Sequence, residues 1–391
     1  MSIEKELCTG CNACHSICPV SAISMEVNEE GFLYPRIDSK KCINCKMCEK
    51  VCPVEKKYET DLKKIYAACS KQKDILKNSS SGGIFYELSK IILLKHGYVC
   101  GAAFDDNNQV HHIIIDDINK INLLMRSKYV QSRIDDCFIR IKDLLNNGET
   151  VLFVGTGCQV NGLHSYLQKK YNNLLTVDII CHGAPSPKIW DYYLNDCNKK
   201  IGSSIKINNI NFRDKKNGWK EYGLSFNTSN NIKIFENHNS NLYFKLFLKD
   251  LCLRESCYKC NANGENRLSD MTLGDFWGCK KFDLKINNEN KGLSLIICHS
   301  DKGLDILKEL SIEIEEVENT VLNYNPSYYY SAKKPKKRDF YMETVNENNF
   351  SALSNDVTKD SLYRRLLNRM IIIIKSIIHW LCLLNYSRYC K

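Results

Sequence analysis

Two copies of one cysteine pattern occupy the first 53 residues: Cys8-x2-Cys11-x2-Cys14-x3-Cys18-Pro19 and Cys42-x2-Cys45-x2-Cys48-x3-Cys52-Pro53. Thiolates at this spacing hold 4Fe–4S clusters, and the fourth cysteine of each run serves the cluster of the other. The cross-over groups Cys8, Cys11, Cys14 and Cys52 around one cluster, and Cys42, Cys45, Cys48 and Cys18 around a second. A zinc ion wants four tetrahedral ligands, usually from two CxxC pairs, not two runs each closed by Cys-Pro. The chemistry implied is transfer of single electrons.

Four more cysteines stand where they could do chemistry. Cys158 and Cys181 each follow a short apolar run, Val151–Val154 and Leu174–Ile180, that reads as a buried strand. If those strands are parallel neighbours, both thiols emerge at the carboxyl edge of the sheet, where open α/β sheets bind ligands. Cys257-x2-Cys260 lies in a loop rich in Asn and Gly, with Cys252 as a spare candidate. Four thiolates suffice for a third 4Fe–4S cluster; a zinc site or four packed core thiols are the competing readings. Cys69, Cys100 and Cys298 sit within apolar strands and read as packing residues. Ser79-Ser80-Ser81-Gly82-Gly83 opens an apolar helix, so it is either a phosphate site or a plain N-cap. Gly155-Thr156-Gly157 is a similar turn, but no Gly-Lys-Ser/Thr follows and no GxGxxG is present. His182 reads as a proton donor or a structural histidine, and Asp275 as a site acid or the cap of a core strand.

The elements that must position these residues fall into four stretches. Residues 1–58 form a two-cluster bacterial-type ferredoxin domain, with a hairpin around Glu29-Glu30-Gly31, and Lys56–Lys64 reads as a linker. From Ile65 strands and helices alternate, which implies a mostly parallel or mixed sheet with helices on both faces. The expected fold class is an α+β ferredoxin module followed by α/β flavin-binding domains, 65–148 and 149–330, and a tail, 331–391, with a C-terminal amphipathic helix. The 21 cysteines, with no signal peptide ahead of them, point to a reducing cytosol in which thiols serve metals. Net charge is +10, and the last 61 residues hold 12 Lys/Arg against 5 Asp/Glu, so the rest of the chain is nearly neutral. A nucleic-acid partner does not follow from that distribution.

An ordered series of motifs resembles a known family. It runs through Ser80-Ser81-Gly82-Gly83, Ser127-Lys128-Tyr129-Val130-Gln131-Ser132, Gly155-Thr156-Gly157-Cys158-Gln159 and Asp178 to Cys181-His182-Gly183. It continues with Phe212-Arg213, Gly218-Trp219, Leu253-Arg254-Glu255-Ser256-Cys257-Tyr258-Lys259-Cys260, Arg267, Asp270 and Gly274-Asp275-Phe276-Trp277-Gly278. Over roughly residues 1–340 the chain resembles the coenzyme F420 hydrogenase/dehydrogenase beta-subunit family with a ferredoxin module in front. The resemblance implies FAD and a 4Fe–4S cluster beside it. It makes Cys158, Cys181, Cys257 and Cys260 cluster ligands, and sets Ser81, Gly82, Gly83, Lys128, Gln131 and Ser132 against the FAD. Two positions depart from the family's pattern: Gly157 stands where proline often precedes the cysteine, and Glu255 where proline is common.

The expected function is an iron–sulfur flavoprotein oxidoreductase that passes electrons between 4Fe–4S clusters and FAD. It would reduce or oxidise an organic acceptor, coenzyme F420 or a related small molecule, with a redox partner protein or small electron donor. The alternatives are an electron-transfer subunit without its own substrate, or a redox component of a cell-surface polysaccharide pathway. The tail carries the last idea. Lys333-Lys334-Pro335-Lys336-Lys337-Arg338 is a basic run, and Leu362–Leu384 has apolar residues at helical spacing with Arg364, Arg365, Arg369 and Lys375 opposite. Its apolar runs are shorter than the ~20 residues that span a bilayer, and a basic amphipathic helix suits an anionic membrane surface. The expected location is the cytoplasm, with a peripheral membrane contact through the tail; docking on the protein itself or on a sister subunit is the competing reading.

Overall fold

The computed structural model describes residues 4–202, 205–286 and 290–359. The expected amphipathic helix, Leu362–Leu384, lies outside the described residues.

The first module is a hairpin and two short helices. Strands β1 (Ile23–Val27) and β2 (Leu33–Ile37) pair antiparallel, Ile23 opposite Ile37. Helices Ala13–Ile17 and Met47–Lys50 carry Cys14 and Cys48. The repeat in sequence is also a repeat in backbone. Gly10 and Asn12 take φ of 69° and 74°, and the equivalent Asn44 and Lys46 take 55° and 59°. These left-handed residues wind each Cys-x2-Cys-x2-Cys loop around a common centre. Gly and Asn take that conformation at little cost, while Lys46 is held there by the loop.

The body is built on one mixed eight-stranded sheet. Its strands are β3 (Lys64–Ser70), β4 (Tyr98–Phe104), β5 (Val110–Ile115), β6 (Val151–Thr156) and β7 (Leu174–Ile179), then, after the three-stranded sheet of β8 (Ile207–Asp214), β9 (Gly223–Thr228) and β10 (Lys233–Asn237), β11 (Met271–Asp275), β12 (Ser294–Cys298) and β13 (Ile312–Val317). The order is β13-β3-β12-β11-β7-β6-β4-β5. The central ladders β11-β7, β7-β6 and β6-β4 are parallel, and the four outer ones are antiparallel. Parallel strands covered by helices on both faces read as unbroken apolar runs, and Val151, Leu152 and Phe153 are fully buried. The sheet runs unbroken across residue 148, since β3, β4 and β5 are laid against strands from the later stretch.

Helix Leu242–Leu248 ends where Asp250 takes φ +59° and the chain leaves to bridge Pro185 at Leu253. Residues 331–359 are not a free tail. Helices Arg338–Thr344 and Phe350–Thr358 bury Tyr341, Met342, Val345 and Phe350 in the same core as Trp190, Phe212 and Tyr243.

Candidate functional site

The parallel centre of the sheet sets the site. Thr156 and Ile179 are opposite each other at the ends of β6 and β7, so Cys158 and Cys181, each two residues further on, leave the same carboxyl edge. Leu273 of β11 is paired with Ile179, which brings Gly274 and Asp275 to that edge as well. The loop after Leu248 returns Cys257 and Cys260 over it in a short 3-10 turn, Glu255–Lys259. Cys158, Cys181, Cys257 and Cys260 all line one cleft of about 330 Å³. Cys252 does not: it is buried in the aromatic core.

Burial decides the state of these thiols without a metal. It raises Cys158 and Cys257 to about 12 and pushes Cys181 well above its ordinary value, each with neighbouring thiols adding to the shift. Cys260 is raised by burial and held back in part by Arg267. Metal binding must release those protons. Donors are already aimed at the sulfurs: Ala184 N–H at Cys257 Sγ (3.3 Å), Ala262 N–H at Cys260 Sγ (3.4 Å), and Thr156 Oγ1 lies 3.1 Å from Cys158 Sγ. Hydrogen bonds to ligand sulfur tune cluster potentials. Among the described residues no three His, Cys, Asp or Glu side chains meet closely enough to hold a single ion.

The same cleft runs on past Ser79, Ser80, Ser81, Gly83, Lys128, Gln131 and Ser132. Gly83 (φ 83°) is the N-cap of helix Ile84–Leu94, and no side chain caps that helix. The serines are used elsewhere: Ser80 Oγ accepts from Ser127 N–H (2.8 Å) and Ser81 Oγ donates to the Leu293 carbonyl (2.9 Å). The plain N-cap reading therefore gives way to an open helix N-terminus at the cleft wall, which fits a phosphate-bearing cofactor. Arg126 also lines this part of the cleft. Gly82 sits behind the wall, its N–H on Ser294 Oγ, and a Cβ there would strike the Ala68 carbonyl.

Lys128, Gln131 and Ser132 line the cleft but have other partners. Lys128 Nζ donates to the carbonyls of Leu123, Leu124, Met125 and Arg126 at 2.7–3.3 Å, and burial, with Arg126 nearby, lowers it to about 7. Ser132 Oγ lies 2.7 Å from His112 Nδ1. His112 is buried, stacks on Phe153, and is lowered to about 4 by burial, so it is neutral. Asp275 closes the far side. Its carboxylate takes Arg213 Nη1 at 2.7 Å and Trp219 Nε1 at 3.3 Å, and Trp219 stacks on Trp277 at 5.0 Å. His182 lines the cleft with Nε2 at 2.5 Å from Asp250 and Nδ1 at 3.2 Å from Ser327.

The ferredoxin module is fastened to this site. Cys8, Cys11, Cys14 and Cys52 line a second cavity, of about 440 Å³. Cys18, Cys42 and Cys48 are half-buried and Cys45 is exposed; neither cavity gathers them. Cys11 packs on the helix that begins beside Cys158: a Cβ on Gly162 would lie 2.7 Å from Cys11 Cβ and 2.9 Å from its sulfur. Arg254, 1% exposed, joins the two sites. It donates to the Cys8 carbonyl (2.7 Å), the Leu33 carbonyl (2.9 Å) and Gln131 Oε1 (3.1 Å), over the ring of Tyr34. Gln131 Nε2 in turn donates to the Thr9 carbonyl at 3.1 Å. From the basic run, Arg338 is buried and binds Glu30 through both Nη atoms at 2.5 and 2.7 Å. The segment read as a linker is tied down as well, Tyr58 N–H to Asn266 Oδ1 (2.5 Å) and Thr60 N–H to the Glu265 carbonyl (3.2 Å).

Residues 148–320 match the family described as the C terminus of the beta subunit of coenzyme F420 hydrogenase/dehydrogenase. Residues 7–56 match the 4Fe-4S dicluster domain. No curated protein matches the chain. Among solved structures it is similar to a chain of the F420-reducing NiFe hydrogenase complex from Methanosarcina barkeri. The identity is 15% and the TM-score 0.44, over 70% of this chain and 93% of that one.

Proposed function

Since the chain belongs to the coenzyme F420 hydrogenase/dehydrogenase beta-subunit family and carries a two-cluster 4Fe–4S domain at its N-terminus, we propose that it is an iron–sulfur flavoprotein oxidoreductase. It would carry electrons between 4Fe–4S clusters and FAD to reduce or oxidise an organic acceptor, coenzyme F420 or a related small molecule. One observation carries the reading. Four thiols and an uncapped helix N-terminus line one continuous cleft.

FAD, when bound, supplies the exchange between one-electron and two-electron steps. The chain's residues do the rest. Cys158, Cys181, Cys257 and Cys260 hold the third cluster. The open helix N-terminus at Gly83, with Arg126, would take the cofactor's phosphates. His112 orients Ser132, and Arg213 with Trp219 fixes the Asp275 carboxylate at the cleft wall. The buried walls exclude water, which protects a reduced cofactor from side reactions.

Anaerobically reconstituted protein should contain one flavin and about twelve irons per chain, three clusters of four. Iron near eight with full flavin would remove the third cluster. Absence of flavin after reconstitution with FAD would remove the flavoprotein reading. Turnover with a viologen and a small acceptor, without any partner chain, separates an enzyme from a subunit that only relays electrons.

The membrane contact is a proposal for residues 360–391 alone. No described helix is long and apolar enough to cross a membrane. Liposome flotation should compare the full chain with one ending at Lys359, because an earlier cut would remove buried Tyr341 and Phe350. Equal flotation of the two would end the idea.

A further inference from the structure

The two cysteine sets of the ferredoxin module differ in setting: one is turned to the body and the other to solvent. Cys11 and Cys14 are buried, and Cys11 packs against Gly162 of the helix Gly157–Leu167, which carries Cys158. At the other set Cys45 is exposed and Ile43, inside the same loop, is 61% exposed. Val20, two residues after Cys18, is 38% exposed. A ligand thiol and an apolar side chain are thus open to a partner at this set.

The charge around this loop has one dominant sign. Lys40, Lys41, Lys46 and Lys50 are all exposed, and none makes an ion pair among the described residues. The acids in the stretch are Asp38 and Glu49. Asp38 accepts from Lys40 N–H at 2.9 Å and so is turned to its own loop. The left-handed conformations of Asn44 and Lys46 fold the loop around Cys45. Exposed lysines thus flank Ile43 and Cys45 along the loop.

We propose that the loop Asp38–Lys50 is the electron port of this protein, the surface on which a small acidic one-electron carrier protein docks over Cys45. The inference rests on the reading of the chain as an iron–sulfur oxidoreductase and names its partner surface. In each encounter one electron leaves the carrier, which is oxidised by one, and is accepted at the Cys18–Cys42–Cys45–Cys48 site, which is reduced by one. No bond forms and no proton need move. The electron's way inward is through the Cys8–Cys11–Cys14–Cys52 site, because that set faces the body. The same port serves flow outward.

The test uses the full-length holoprotein and an acidic bacterial ferredoxin as probe. Calorimetric titration gives the Kd of oxidised ferredoxin, and flavin reduction by reduced ferredoxin gives the rate. The comparison is with the triple variant Lys40→Glu, Lys41→Glu, Lys50→Glu at matched iron content. Electrostatic steering raises association by about 10- to 1000-fold and weakens with salt. The variant should bind at least about tenfold more weakly, and the wild-type affinity should fall as salt rises. Flavin reduction by a viologen should be equal in both proteins. Unchanged Kd in the charge-reversed variant, or a wild-type Kd insensitive to salt, overturns the port. Failure of viologen to reduce the wild type overturns the oxidoreductase reading instead, so the two failures are distinct. Lys→Gln at the same three positions should weaken binding by less than the Glu set; an equal loss in both would mean the loop's shape, not its charge, was lost, and would also overturn it.

Discussion

Arg254 is the residue whose loss should be felt at both redox sites. Its side chain is 1% exposed and makes three hydrogen bonds, two of them into the ferredoxin module, at 2.7–3.1 Å. A hydrogen bond from a charged donor contributes about 1.5–3 kcal/mol net. Arg254→Ala would leave the Cys8 and Leu33 carbonyls and Gln131 Oε1 without that donor, and would empty the space over Tyr34. These losses share one side chain and do not add, so the sum of the separate values is an upper bound. A buried acceptor left without its donor costs about 1–3 kcal/mol, and with three acceptors sharing the loss we expect about 4 kcal/mol of docking free energy to go. That is about a thousandfold in the opening equilibrium of the module. The assay is native-state hydrogen exchange on iron-replete protein, followed at residues 8–17 and 33–37. Their protection should fall by about that factor while β6 and β7 keep theirs. Arg254→Lys keeps the charge but not the planar fork, and should lose about half as much. Protection within threefold of the wild type in Arg254→Ala would refute the claim that this residue fastens the module.

Other outcomes follow from single sites. Cys257→Ser should lower iron from about twelve to about eight per chain and leave the low-temperature EPR signals of the two ferredoxin clusters intact; loss of those signals instead would place Cys257 outside a third site. Gly162→Ala puts a Cβ 2.7 Å from Cys11 Cβ; overpacking of this kind costs about 1–3 kcal/mol, read as a lower melting temperature together with a shifted EPR signal from the Cys8–Cys11–Cys14–Cys52 cluster, and an unaltered spectrum would mean that the two are not in contact. His299 is held neutral by burial, its value lowered to about 4 from the ordinary 6.5, as is His112. Between those values the unfolded chain binds the protons and the folded one does not, so stability is complete above pH 6.5 and is lost as pH falls towards 4. Each histidine contributes a slope of about 1.4 kcal/mol per pH unit in that window. His299→Gln should remove one such slope in urea titrations from pH 6.5 to 4.5; a variant with the wild-type pH dependence would show that the burial of His299 carries no such cost.

Much of the sheet is legible because its strands are bounded apolar runs. Tyr98–Phe104 and Val110–Ile115 can be read to the residue, set off by Gly97 and by Asp105-Asp106-Asn107-Asn108. The edge strand Ile312–Val317 escapes such a reading, since its Ile and Val residues are matched in number by Glu, and charge on an edge strand hides the pattern that marks it. The balance of parallel and antiparallel ladders is not written in local pattern, because it depends on β3 crossing to lie between β12 and β13. The convergence of Cys158 and Cys181 follows from two strands and one assumption about their pairing, which the register of Thr156 with Ile179 meets. Arg254 is visible only as part of a motif. Its partners are 123, 221 and 246 residues away, and nothing in local spacing names a donor to a distant carbonyl. His112 carries still less signal: it is one of a His-His pair on a strand, and only the fold shows that it faces Ser132.

Why the module should be held by buried arginines at all can be argued from cost. An apolar contact of the same size would dock the two parts as well or better, since buried charges seldom add net stability over a hydrophobic replacement. Apolar contacts tolerate sliding, however, and an electron relay does not. Arg254 must meet the Cys8 and Leu33 carbonyls at fixed angles, and Arg338 must meet both oxygens of Glu30, so each fixes a register as well as a contact. Arg254 also sets a permanent positive charge between two sites that would each carry a net negative cluster, where burial makes the field strong. Its charge already favours the thiolate forms of Cys158 and Cys257 on one side and faces the Cys8 loop on the other. The expected consequence separates the two roles. Arg254→Lys should restore most of the cluster potentials, being cationic, yet leave the module looser, being a single donor. Redox titration followed by EPR, set beside the exchange measurement on the same variant, reads the two effects independently. If Arg254→Lys shifted the potentials as far as Arg254→Ala, geometry and not charge would be what this residue supplies to the relay.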